Sequence, residues 1–173
     1  MRSFRIAVWG AAWALALSFN AFAADVDAAR ILAASKNNAD WLTHGRTYDE
    51  QRFSPLARIH KGNVGELRLA WYFDLDTTRG QEATALVIDG VMYVTSAWSK
   101  VLALDARTGR ELWRFDPKVE GAKAIDACCD VVNRGVAAWG NRVFVGTLDG
   151  RLIALDRTTG KPEWSVQTTD PGI

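Results

Sequence analysis

Cysteine, histidine and methionine are scarce in this 173-residue chain, at two residues each, and proline (four) is little commoner. His44 and His60 stand apart, without the clustered ligand spacing that a zinc site needs, so both read as ordinary loop or surface residues. No Cys-x-x-Cys-His run offers covalent haem attachment. An excess of one charge is missing too: 21 Lys and Arg face 20 Asp and Glu, a formal net charge of +1. No basic stripe argues for nucleic acid, and no charge run argues for a membrane surface. The apolar run from Ile6 to Phe19 falls short of the about 20 residues that span a bilayer comfortably.

That run follows Arg2 and Arg5 and leads into Ala21-Phe22-Ala23, with small residues at both ends of an A-x-A site. Residues 1–23 therefore read as a secretory signal peptide cut after Ala23, leaving 24–173 as the mature part. No cysteine follows the cut, which argues against a lipid anchor there. Losing Arg2 and Arg5 leaves 19 basic residues against 20 acidic ones, a net charge of −1. Bacterial-type export delivers the chain to an oxidising periplasm, where disulfides persist.

The two cysteines are adjacent, Cys128 and Cys129, in Asp126-Ala127-Cys128-Cys129-Asp130-Val131-Val132-Asn133-Arg134-Gly135. Neighbouring Cα atoms sit about 3.8 Å apart, below the roughly 4.4–6.8 Å usual for a disulfide. A bridge here closes almost no loop, so chain entropy gives it little stabilising value and a local surface or redox role is the better reading. The other reading is two reduced thiols packed as small hydrophobes. Export favours the bridge.

An internal repeat organises the rest. Ala103-Leu104-Asp105-Ala106-Arg107-Thr108-Gly109-Arg110-Glu111-Leu112-Trp113 and the segment from Ala154 to Trp164 both fit A-x-D-x-x-T-G-x-x-x-W, 51 residues apart. The same shift superposes Met92-Tyr93-Val94 on Val143-Phe144-Val145. A partial third copy runs from Leu69 to Asp74. Val91 to Thr95 and Arg142 to Gly146 read as strands, followed by turns at Ser99-Lys100 and Asp149-Gly150. Val101 to Asp105 and Leu152 to Asp156 are near-continuous apolar runs suited to strands covered on both faces. A Thr-Gly turn and a Trp-bearing strand complete each unit, and Ala83 to Ile88 reads as a further strand. Four short antiparallel strands in about 50 residues is the pattern of a propeller blade, so the fold class is all-β. Trp113 and Trp164 are structural, packing blade on blade, with Ala103 and Ala154 expected to leave room for a neighbour's indole. Two clear blades and part of another cannot close a ring, so the chain reads as the front of a longer protein.

The segment from Asp40 to Leu56 resembles the opening region of the pyrroloquinoline quinone (PQQ)-dependent alcohol dehydrogenases. So do Asn63-Val64 to Leu67, Ala70-Trp71, Gln81-Glu82-Ala83-Thr84, the two repeats, and Cys128-Cys129 followed by Asn133-Arg134-Gly135. The likeness covers nearly all of 24–173. It implies an eight-bladed quinoprotein propeller in the full-length protein, PQQ near its axis and a bound calcium whose ligands lie beyond residue 173. By the same resemblance, Cys128 and Cys129 form a disulfide ring against one face of the quinone, where sulfur packs well on a planar conjugated system. Arg134 matches the arginine that donates to the quinone oxygens, and Glu82 the glutamate that hydrogen-bonds the cofactor. Without the resemblance, Arg134 reads as a surface partner of Asp126 or Asp130, and Glu82 as a solvated residue. Asn133, Asp130 and Thr147 read as turn or blade residues.

The implied activity is oxidation of a small primary alcohol to an aldehyde, with electrons passed to a cytochrome c-type acceptor. The aspartate base toward the alcohol lies beyond residue 173, so this segment alone is expected to lack dehydrogenase activity. Two other functions share the repeats: a non-enzymatic propeller that docks other proteins as an assembly scaffold, and a sugar or polyol dehydrogenase using the same cofactor. The scaffold has no need of adjacent cysteines.

Overall fold

The computed structural model describes residues 24–170; the signal-peptide reading of 1–23 lies outside them. Two four-stranded antiparallel sheets carry the fold. The first contains β1 (Leu86–Ile88), β2 (Val91–Ser96), β3 (Lys100–Asp105) and β4 (Glu111–Phe115). After β5 (Cys128–Val131), which joins neither sheet, the second contains β6 (Ala137–Trp139), β7 (Arg142–Gly146), β8 (Arg151–Asp156) and β9 (Pro162–Gln167). Each sheet is an up-and-down meander in chain order, which is the blade that the 51-residue repeat anticipates.

The repeat extends to register. Tyr93 faces Ala103 and Ala103 faces Trp113; Phe144 faces Ala154 and Ala154 faces Trp164. The methyl group of each alanine lets the flanking rings meet across it, with centroids 5.8 Å apart in both sheets and nearly the same tilt. The expectation that these alanines make room for a neighbouring blade's indole is thus corrected: they serve their own blade. Room for the neighbour comes from the Thr-Gly turns. A Cβ added to Gly109 would lie 2.7 Å from Cδ2 of Trp71, and one added to Gly160 would lie 2.6 Å from Cδ2 of Trp113. The two indole N–H groups donate to the same turns, Trp71 to the Ala106 carbonyl (3.2 Å) and Trp113 to the Arg157 carbonyl (3.1 Å).

Some boundaries differ from the sequence reading. The strand expected over 83–88 forms only at Leu86–Ile88. The turn expected at Ser99-Lys100 is a 3-10 turn over Ala97–Ser99, with Trp98 and Ser99 both left-handed (φ 66° and 58°) and Lys100 already in β3. The partial third copy around Trp71 forms no regular strand among the described residues.

The N-terminal segment laces the sheets together. Asp27 caps α1 (Ala28–Leu32) by accepting from the Arg30 N–H at 2.7 Å. Val26 forms a β-bridge with Gly140, between β6 and β7, and Trp41 one with Val87 of the first sheet. Val26, Ile31 and Leu42 join Ile88, Val101, Val143 and Leu155 in one buried cluster between the sheets. Near it the Arg157 guanidinium is buried and donates to Asp89 (3.3 Å) and to the Ala24 carbonyl (3.0 Å). Burial pushes the Tyr93 phenol up to about 12, so it stays a neutral donor to the Arg157 carbonyl. Among the described residues no helix is long and apolar enough to cross a membrane.

Candidate cofactor-binding site

Between β4 and β6 the chain leaves the sheets, makes a 3-10 turn over Gly121–Asp126, and runs through β5 into Val132-Asn133-Arg134-Gly135. The structure joins Cys128 to Cys129, with Cα atoms 3.8 Å apart. Both residues are exposed, whereas Val131, three and two positions on, is fully buried and pins the strand. The buried-thiol reading is therefore set aside: the sulfur pair lies at the surface.

Opposite runs the extended segment 79–84, held to this loop by two ion pairs. Arg79 meets Asp130 at 2.6 Å, and Arg134 meets Glu82 at 3.1 Å. Asp130 is thereby taken by Arg79, and the carboxylate beside Arg134 is the other residue that the sequence singles out. Both members of that pair are open to solvent, Arg134 at 68% and Glu82 at 44% of the side chain. Such a pair is worth at most about 1 kcal/mol, so exchanging it for a ligand costs little.

Backbone contacts fix where the two groups stand. The Thr84 N–H donates to the Arg134 carbonyl (3.2 Å), and the Gln81 amide donates to the Thr95 carbonyl at the end of β2. Gly135 adopts φ +121°, and a Cβ there would sit 2.8 Å from the Thr84 carbonyl oxygen, so only glycine allows this approach. Asn133 sits amid these contacts. Its amide donates to Ser99 Oγ (3.2 Å) and to the Gly146 carbonyl (2.8 Å), and its Oδ1 accepts from the Gly135 N–H (3.0 Å). The sequence reading left it as a turn residue. Thr147 does serve as one, its hydroxyl bonded to Asp149 and to Arg151 within the β7–β8 hairpin.

His44 and His60 are exposed loop residues, His44 lying against Arg52 and His60 accepting from Gly62. A cavity of 320 Å³ runs beneath Arg134, walled by His44, Thr84, Phe144 and Leu152. The cavity of 520 Å³ around Ile31, Tyr48 and Phe53 includes none of the four candidate residues. Among the described residues no three His, Cys, Asp or Glu side chains gather as a metal cage.

An exposed, polarizable sulfur ring on the same loop as a solvent-facing guanidinium paired with a carboxylate suits a flat, conjugated, anionic ligand. Comparison with known proteins fits that class. The profile of the PQQ glucose/ethanol/alcohol dehydrogenase β-propeller domain matches residues 41–165. The chain belongs to this PQQ glucose/ethanol/alcohol dehydrogenase family, and its fold is a β-propeller.

Among its relatives is the quinohemoprotein alcohol dehydrogenase ADH IIB of Pseudomonas putida, 61% identical over 157 residues, which make up 91% of this chain and 23% of that protein. The 1-butanol dehydrogenase (cytochrome c) of Thauera butanivorans is 55% identical over 129 residues, 75% of this chain and 19% of that one. The solved quinohemoprotein alcohol dehydrogenase ADHIIG of Pseudomonas putida HK5 superposes with a TM-score of 0.82 at 56% identity, covering 85% of this chain and 22% of that structure. The chain thus spans about a fifth of the length of the relatives it matches.

Proposed function

We propose that residues 24–173 are the cofactor-holding front of a periplasmic PQQ- and calcium-dependent dehydrogenase. It would oxidise small primary alcohols to aldehydes and pass electrons to a cytochrome c-type acceptor. The observation that carries the reading is the exposed Cys128–Cys129 ring on the same short loop as Arg134, which pairs with Glu82. Bound PQQ supplies the two-electron acceptor chemistry that protein side chains lack.

The chain's own residues bind and polarise. Cys128 and Cys129 present a rigid floor that keeps water from one face of a planar ligand. The planar guanidinium fork of Arg134 suits two adjacent oxygens. It would set a fixed positive charge against the electron-rich oxygens of a bound quinone, without reorganisation. Glu82, paired with Arg134, would help to orient the ligand by hydrogen bonding. A carboxylate beside an anionic ligand needs a shared proton or cation between them. The described residues form no calcium cage, and calcium comes into the proposal through the family resemblance alone.

The test is uptake of PQQ by the complete protein, expressed to the periplasm and purified with calcium under oxidising conditions. Quinone should remain bound through gel filtration, and ethanol should reduce an artificial dye. Cys129→Ser should lower retention at least tenfold. Free thiols at both positions together with no retained quinone would overturn the reading.

A further inference from the structure

We propose that Asn133 is the positioning residue for Arg134: through its side-chain amide it locks the Arg134 loop to the ends of both sheets. The inference rests on the cofactor reading above and assigns a role that neither the repeats nor the paired cysteines require.

Every polar atom of the Asn133 side chain is in use, and each partner lies on a different piece of structure. One amide hydrogen goes to Ser99, at the end of the 3-10 turn between β2 and β3 of the first sheet; the other goes to the carbonyl of Gly146, the last residue of β7 in the second sheet. The oxygen holds the N–H of Gly135 within the loop itself. The Asn133 backbone carbonyl accepts from the Thr95 hydroxyl of β2 (3.3 Å). Thr95 and Ser99 are both fully buried, so the anchor points are fixed by the core rather than by solvent.

Arg134 sits between Asn133 and Gly135, the two ends of this clamp. Among the described residues its own side chain has only an exposed pair with Glu82, which by itself fixes a long guanidinium poorly. The precision with which Arg134 meets a ligand is therefore set one residue earlier. Ser99 takes part through a backbone that few residues adopt: φ is 66° at Trp98 and 58° at Ser99, which turns the Ser99 hydroxyl toward Asn133. This gives the left-handed pair a purpose that a plain β2–β3 hairpin does not need. An aspartate at position 133 keeps the bond from Gly135 and can accept from the Ser99 hydroxyl, but it has no hydrogen for Gly146 and sets a carboxylate against that carbonyl oxygen.

The experiment is a double-mutant cycle on the complete protein, freed of cofactor and titrated with PQQ while intrinsic tryptophan fluorescence is followed. Asn133→Asp should weaken PQQ binding at least tenfold while the protein keeps its circular dichroism. In an Arg134→Gln background the same change should cost less than threefold, because the group it positions is gone. Ser99→Ala, which removes a single partner, should show a smaller loss that also disappears with Arg134→Gln. Should Asn133→Asp fail to fold, the Ser99 cycle decides by the same criterion. Binding by Asn133→Asp within twofold of wild type, or equal losses with and without the arginine, overturns the positioning role and leaves the cofactor reading standing. A wild-type protein that takes up no PQQ overturns the cofactor reading itself.

Discussion

Asp105 and Asp156 open the two equivalent Thr-Gly turns and do the same local work. Each Oδ1 accepts from two backbone N–H groups, those of Arg107 and Thr108 in one copy and of Thr158 and Thr159 in the other. At Asp105 the Thr108 hydroxyl and amide hold the carboxyl below its ordinary value; at Asp156 burial works the other way but is outweighed by Thr159, Thr158 and Asn141. A carboxylate with a lowered native pKa stabilises the fold fully above its unfolded value of about 4, and that contribution is lost as pH falls through the lower native value. Thermal melts should thus be flat from pH 7 to about 5 and decline below about 4. Asp156→Asn keeps the acceptor oxygen but carries no charge, so its decline in acid should be shallower, by about 2 °C at the acid end. An unchanged acid slope would refute the assignment. At the same scale, Cys128 and Cys129 stand out in the sequence because adjacent cysteines are chemically unusual, whereas Arg134 and Glu82 are singled out through the resemblance. Asn133 read as a turn or blade residue because its partners Ser99 and Gly146 lie 34 and 13 residues away, and no local pattern announces such a bond.

Within each blade, the glycine of the Thr-Gly turn has two separate duties. It adopts a left-handed backbone, φ 73° at Gly109 and 69° at Gly160, and it clears space for the previous unit's indole. Gly90 isolates the first duty, since it too is left-handed (φ 77°) but has open space where a Cβ would go. Gly90→Ala should cost about 1–2 kcal/mol from backbone strain alone. Gly160→Ala should cost a further 1–3 kcal/mol, roughly, because its methyl group would overlap Trp113. Equal losses for the two variants in denaturant titrations would mean that the indole contact carries no weight. The blade itself was legible because apolar runs, Thr-Gly turns and tryptophans recur at one spacing. The β1–β2 hairpin was legible too, although only the Asp149-Gly150 turn was read. Asp89-Gly90 is the same dipeptide, and both residues have positive φ (52° and 77°), as a type I′ turn requires. What could not be read was which small residue serves which tryptophan, since Ala103 and Gly109 both qualify until the strands are in register.

Across the whole molecule the docking rule repeats and stops short. Trp71 meets the turn holding Ala106 and Gly109, and Trp113 meets the turn holding Arg157 and Gly160, which are the same turn positions 51 residues on. Trp164 is the next in the series, yet it is 42% exposed, and Val166 beside it is open as well. At the other flank Leu69 and Tyr72 are exposed around Trp71, which docks like a blade's last strand without sheet neighbours among the described residues. Two open flanks of this kind are what an arc of a propeller presents, and a third Thr-Gly turn is the chemical complement of Trp164: a carbonyl for its N–H and a glycine under its ring. In the complete protein, Trp164→Ala should therefore lower stability by about 3–5 kcal/mol, the usual loss for a buried tryptophan. In residues 24–170 expressed alone the same change should cost well under half of that, and acrylamide should quench Trp164 far more readily than in the complete protein. Similar small losses in both settings, with Trp164 equally open to the quencher, would show that no further blade packs on this face.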